Sequence, residues 1–138
     1  MHEITAQLGT GTAVSLANGR HEWRGDEPPD KGGRDTGPSP YELLLGSLAA
    51  CTLITLRMYC DHKGIALAGA SATYEHDKAE ETDGEGRRRT ADVIRGRVRI
   101  EGEFSEQERK RLAQIVSRCP VHRTLEGGAR LEDEVEFA

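Results

Sequence analysis

The chain has 138 residues, of which 36% are hydrophobic and 31% charged, with a formal net charge of −5. That length suits one domain around one core, read here as residues 1–138. The acidic balance leaves no basic excess to neutralise phosphates, which argues against nucleic-acid partners.

Residues 3–8 and 12–16 are short runs rich in β-branched residues, separated by Gly9, Thr10 and Gly11. They predict a hairpin. Asn18-Gly19 marks a second turn, and residues 20–24 a third strand. Residues 24–39 lack periodicity and are full of Gly, Pro and Asp, so they predict a loop. A loop of this length in a compact domain is often functional, a mobile connector being the plainer reading.

Residues 39–64 predict the central helix. Ser39 suits the N-cap, Pro40 the first helical position, and Glu42 the carboxylate of a capping box. No charged residue occurs from 43 to 56, and a helix apolar all round is a buried one. The run is shorter than the roughly 18–20 apolar residues of a membrane span, and Ser47, Thr52 and Thr55 interrupt it. A core helix of a soluble domain, with no membrane partner, is therefore expected. Lys63 and Gly64 supply a stop.

Residues 67–76 and 91–103 predict two antiparallel strands, joined by a polar tip over 77–90. Arg87, Arg88 and Arg89 in that tip could form an anion site, but such clusters are usually solvated. Ser105 and Glu108 form a second capping box. The helix it opens carries Leu112, Ile115, Val116 and Cys119 on one face, and Pro120 breaks it. Residues 121–125 suit a short helical turn closed by Gly127-Gly128. Residues 129–137 suit a last strand, with Leu131, Val135 and Phe137 apolar. This order predicts an α+β fold with an antiparallel sheet. So little sheet leaves the central helix short of cover, which a second subunit could supply.

Three cysteines, with no visible secretory signal, do not make a disulfide framework and point to a reducing cytoplasm. Cys51 shares its side of the helix with Leu44, Ser47, Leu48, Thr55 and Met58. Cys60 falls on the opposite face, roughly 13 Å along the axis. A disulfide needs Cα atoms within about 7 Å, so any thiol partner of Cys51 within the chain is Cys119. Taken alone, a cysteine in an apolar helix is most often only a small buried hydrophobe, and Cys119 too could be a core residue. His122 and Arg123 follow Cys119, and cations near a thiol raise its thiolate fraction. His122 has no second His or Cys at ligand spacing, so no metal is expected. His2, His21, His62 and His76 are scattered and read as exposed.

Residues 37–45 (GPSPYELLL), 48–52 (LAACT) and 119–122 (CPVH) carry a resemblance. The chain resembles the osmotically inducible protein C and organic hydroperoxide resistance family (OsmC/Ohr), and the element order fits along the whole chain. The resemblance implies an antiparallel sheet wrapped around a long buried central helix, a second amphipathic helix, and an intertwined homodimer with active sites at the subunit interface. It further implies thiol peroxidase chemistry without a metal or organic cofactor. Cys51 would be the peroxidatic thiolate and pass through a sulfenic acid. Cys119 would condense with it to a disulfide, which an external dithiol of lipoyl type would reduce. An apolar pocket would favour organic hydroperoxides.

One position departs from the family pattern. Well-studied members carry glutamate directly after the proline, where this chain has Tyr41. Glu42 stands one further on, about 180° from Cys51 around an ideal helix. Cys51 also lies too deep in its helix to gain from the N-terminal dipole, so it needs a cation from elsewhere. Arg34 is the candidate, with Arg24 and Arg123 as alternatives. The candidate catalytic set is Cys51, Cys119, Arg34 and Glu42. The competing readings are a dimer that binds a small hydrophobic ligand or senses redox state, and a structural dimer with core cysteines.

Overall fold

The computed structural model describes residues 1–138, which form two compact units, Met1–Gly46 and Ser47–Ala138. In the first unit, strands β1 (Thr5–Leu8), β2 (Val14–Ala17) and β3 (Glu22–Gly25) make an antiparallel sheet in that order. Leu8 pairs with Val14, and Val14 with Gly25. The β2–β3 turn forms because the Asn18 carboxamide oxygen accepts from the amides of Arg20 and His21. Gly19 takes φ 90° there, a conformation that costs glycine little.

The long loop after β3 is tied down rather than loose. Its anchor is Asp26, a buried carboxylate. It accepts from Thr12 Oγ1 at 2.6 Å, the Glu27 amide at 2.8 Å, and the amide and hydroxyl of Thr36 at 3.1 and 2.7 Å. The Asp35 amide donates to the Glu27 carbonyl, and the Gly33 amide to that of Pro28. A Cβ on Gly33 would fall 1.8 Å from the Glu27 carbonyl oxygen, so only glycine lets the strands of the loop close this far.

The Thr12 hydroxyl, then Thr36, hold the Asp26 carboxyl well below the usual carboxylate range, against the opposing effect of burial. A depressed folded pKa gives stability that is complete above the unfolded value, near 3.8, and is lost as pH falls below it. Asp26→Asn is therefore expected to lower the thermal midpoint at neutral pH, with the deficit shrinking below about pH 4. Melting curves across that range check it, and a deficit independent of pH would count against the carboxylate as the anchor.

Helix α1 spans Pro40–Lys63. The Glu42 Oε1 accepts from the Ser39 amide at 2.9 Å and the Ser39 Oγ from the Glu42 amide at 3.3 Å, which completes the expected capping box. The second unit continues with β4 (Gly69–Thr82), β5 (Arg88–Glu101), α2 (Glu106–Val116) and α3 (Pro120–Gly127). Its core joins Leu56 and Cys60 of α1 to Leu112 and Ile115 of α2, with Val98, Ile100 and Phe104 packed against them. By length and composition alone α1 could cross a membrane. Its packing against α2 makes it a core helix.

Four expectations about the elements, and one about His76, are corrected. First, α1 is not buried all round. Leu48, Thr52, Leu56 and Cys60, each four apart, form its buried stripe, whereas Ile54 and Met58 are 56% and 66% exposed. Second, β4 and β5 run into the charged tip, because opposite charges face across the ladder. Glu81 pairs with Arg89, and Arg87 bonds Asp83 and Glu85 in the turn, so two of the three arginines already have anionic partners. On the same hairpin His76 is half-buried and bonds Asp92 at 2.8 Å. Third, α2 stops at Val116, and Cys119 opens α3 rather than ending α2. Fourth, residues 129–138 form no strand. A strand needs a ladder partner, and none is paired with this segment in the chain. Leu131, Val135 and Phe137 stand 83%, 77% and 93% exposed.

Candidate active site

The second unit brings Cys51 and Cys119 together. Cys51 lies half-buried on α1, one residue before the buried stripe. Cys119 arrives from α3. After α2 the chain makes a tight turn, closed by the Arg118 amide on the Ile115 carbonyl. Cys119 is then extended, at φ −66° and ψ 149°, and Pro120 takes the first helical position, where no amide is needed. The Cys119 Sγ caps α3 by accepting from the His122 amide at 3.4 Å, and the residue is wholly buried.

Burial pushes the Cys51 thiol up. The Val121 amide and the Thr55 hydroxyl bond its sulfur and pull the other way, and the adjacent Cys119 adds to the rise. None of these groups is a cation, so the net direction is upward. All three cysteines are free thiols. Cys60 lies in the core cluster with Leu56 and Leu112, where burial also raises its thiol.

The other two candidates belong to the first unit. The Glu42 carboxylate is engaged by Ser39, whose amide and then hydroxyl hold it below its usual range. Arg34 is exposed, between Gly33 and Asp35, whose amides both bond loop carbonyls. The loop backbone around Arg34 is thus set by the Asp26 anchor. Arg123 is exposed on α3, and Arg24 is exposed on β3.

Two residues of the thiol environment, Thr52 and Tyr74, escaped sequence reasoning. Thr52 is wholly buried, and its hydroxyl lies 3.7 Å from Cys119 Sγ and 3.0 Å from the Tyr74 hydroxyl. Tyr74 faces Gly96 across the β4–β5 ladder. A tyrosine on the inward face of a strand, paired with a glycine in mid-strand, was the available signal.

A family model described as OsmC-like protein matches residues 32–133. The chain belongs to the OsmC-like family. Its α+β fold, with two small antiparallel sheets and three helices, matches solved members. An OsmC-like protein from Mycoplasma pneumoniae is 28% identical, with a TM-score of 0.74 over 92% of this chain and 88% of that one. An organic hydroperoxide resistance protein OsmC from Legionella pneumophila is 21% identical, with a TM-score of 0.66 over 92% and 90%. The organic hydroperoxide resistance protein OhrB of Bacillus subtilis is 18% identical, with a TM-score of 0.54 over 92% and 91%. No curated protein shows significant similarity to the chain. Within the OsmC-like segment fall all four candidates, Arg34, Glu42, Cys51 and Cys119.

Proposed function

We propose that this OsmC-like chain is a thiol-dependent peroxidase that reduces organic hydroperoxides in oxidative-stress defence. The observation that supports it most is the adjacency of Cys51 and Cys119, two free thiols near enough for Cys119 to raise the Cys51 thiol. The Cys51 thiolate attacks one oxygen of the hydroperoxide. The O–O bond breaks, an S–O bond forms, and the alkoxide takes a proton and leaves as the alcohol. Cys119 then attacks the Cys51 sulfur. The S–O bond breaks, water leaves, and a Cys51–Cys119 disulfide remains for an external dithiol, of lipoyl type, to reduce. Arg34 is the proposed cation that offsets the burial of Cys51, and Glu42 holds the start of α1. The chain acts as one cytoplasmic domain, assembled as a homodimer.

Brief exposure to cumene hydroperoxide is expected to consume two thiols per chain. Peptide mass mapping should then join Cys51 to Cys119 and find Cys60 free. A Cys51–Cys60 bond, or none, would sink the mechanism. A second reading, a dimer that binds a small hydrophobic ligand or senses redox state, is favoured by the raised Cys51 thiol. Single oxidation without repeated turnover is its signature.

A further inference from the structure

Cys119 is wholly buried, yet in the proposed cycle its sulfur must lose a proton and attack. A buried charge without water needs donors built into the protein. One is the His122 amide, at 3.4 Å. The other direction of approach is occupied by hydroxyls. Thr52 Oγ1 lies 3.7 Å from Cys119 Sγ, and the Tyr74 hydroxyl lies 3.0 Å behind it. We infer that Tyr74 and Thr52 form a two-hydroxyl relay that positions Cys119 and serves its sulfur in both protonation states. This rests on the peroxidase reading of the Cys51–Cys119 pair.

A hydroxyl has one proton and two acceptor positions, so the chain of three groups can run in either direction. With Cys119 as thiol, its S–H donates to Thr52 and the Thr52 O–H to Tyr74. With Cys119 as thiolate, Tyr74 donates to Thr52 and Thr52 to the sulfur. Two bond rotations interconvert these arrangements, and in each the Cys119 sulfur and the Thr52 hydroxyl keep a partner. In the closure step the Cys119 S–H bond and the Cys51 S–O bond break. The S–S bond forms, and the proton joins the departing hydroxide as water.

The backbone is built to admit this relay. An alanine Cβ at Gly96 would lie 2.3 Å from the Tyr74 ring, so glycine is what lets the ring lie across β5. Thr52 stands in a stripe otherwise made of Leu48, Leu56 and Cys60, where a hydroxyl is costly unless bonded. Packing alone calls for valine there.

The test traps the Cys51 sulfenate with a cyclic dione after a pulse of cumene hydroperoxide and compares it with the disulfide. Tyr74→Phe and Thr52→Val are each expected to raise the sulfenate-to-disulfide ratio about tenfold, the loss expected for one hydrogen bond to a developing charge. Thr52→Ser keeps the hydroxyl and should restore the wild-type ratio. The double variant should be little worse than Thr52→Val, since the two groups act in series. A wild-type ratio in Tyr74→Phe overturns the relay, as does Thr52→Ser behaving like Thr52→Val. Diamide separates this from the peroxidase reading. The Cys51 thiol adds across its N=N bond, and Cys119 then expels the hydrazine as the disulfide closes. If peroxide leaves Cys51 untouched, the peroxidase reading fails, while slowed diamide closure in Tyr74→Phe still supports the relay and wild-type closure refutes it.

Discussion

Cys51→Ser is expected to abolish turnover of cumene hydroperoxide with a lipoyl dithiol, down to the rate of the buffer alone. Serine is smaller by little and keeps a hydrogen-bonding group for the Val121 amide and Thr55, so the fold should survive. It forms no sulfenic acid, and the cycle has no first step without one. The same assay weighs Arg34. Burial already pushes the Cys51 thiol up, and a neighbouring cation would raise its thiolate fraction. Arg34→Ala should slow turnover, with the rate recovering as pH rises and the thiol ionises unaided. Glu42→Gln should retain it, because glutamine still completes a capping box. Melting curves and circular dichroism separate lost chemistry from lost fold. Turnover by Cys51→Ser at the wild-type rate would end the peroxidase reading. A large loss with Glu42→Gln in an intact fold would make that carboxylate catalytic.

Ile54→Glu combined with Met58→Glu is expected to turn a dimer into a monomer of 15.1 kDa by light scattering at micromolar concentration. These two side chains lie four apart on the face of α1 opposite its buried stripe, more than half exposed in the single chain. With Leu131, Val135 and Phe137 of the tail, they are apolar surface that a second copy could cover. Two carboxylates buried without partners in such an interface would cost several kcal/mol, enough to dissociate it. The substitutions add charge to a surface already solvated in the isolated chain, so its own core should hold. A wild-type protein of monomer mass would remove the homodimer from the proposal. A double variant still dimeric would move the interface away from this face of α1.

What the amino-acid order determined by itself is local or periodic. The boxes Ser39–Glu42 and Ser105–Glu108 join groups three residues apart, so neighbours in sequence suffice to build them. The hairpin turns and the start of α1 at Pro40 follow from the same short-range chemistry. The three motifs around residues 37–45, 48–52 and 119–122 already pointed to the family that the match over 32–133 establishes.

Tertiary structure decided whatever depends on a distant partner. Asp26 meets Thr12 and Thr36 only when the loop has closed on the first sheet. Thr52 meets Tyr74 and Cys119 across 22 and 67 residues, and no periodicity announces either contact. The tail from 129 has strand-like composition but no strand, because a β-strand is defined by the ladder it joins and not by its own residues. The direction of the Cys51 thiol's shift likewise followed from burial, a property of the packed helix that its sequence neighbours do not specify.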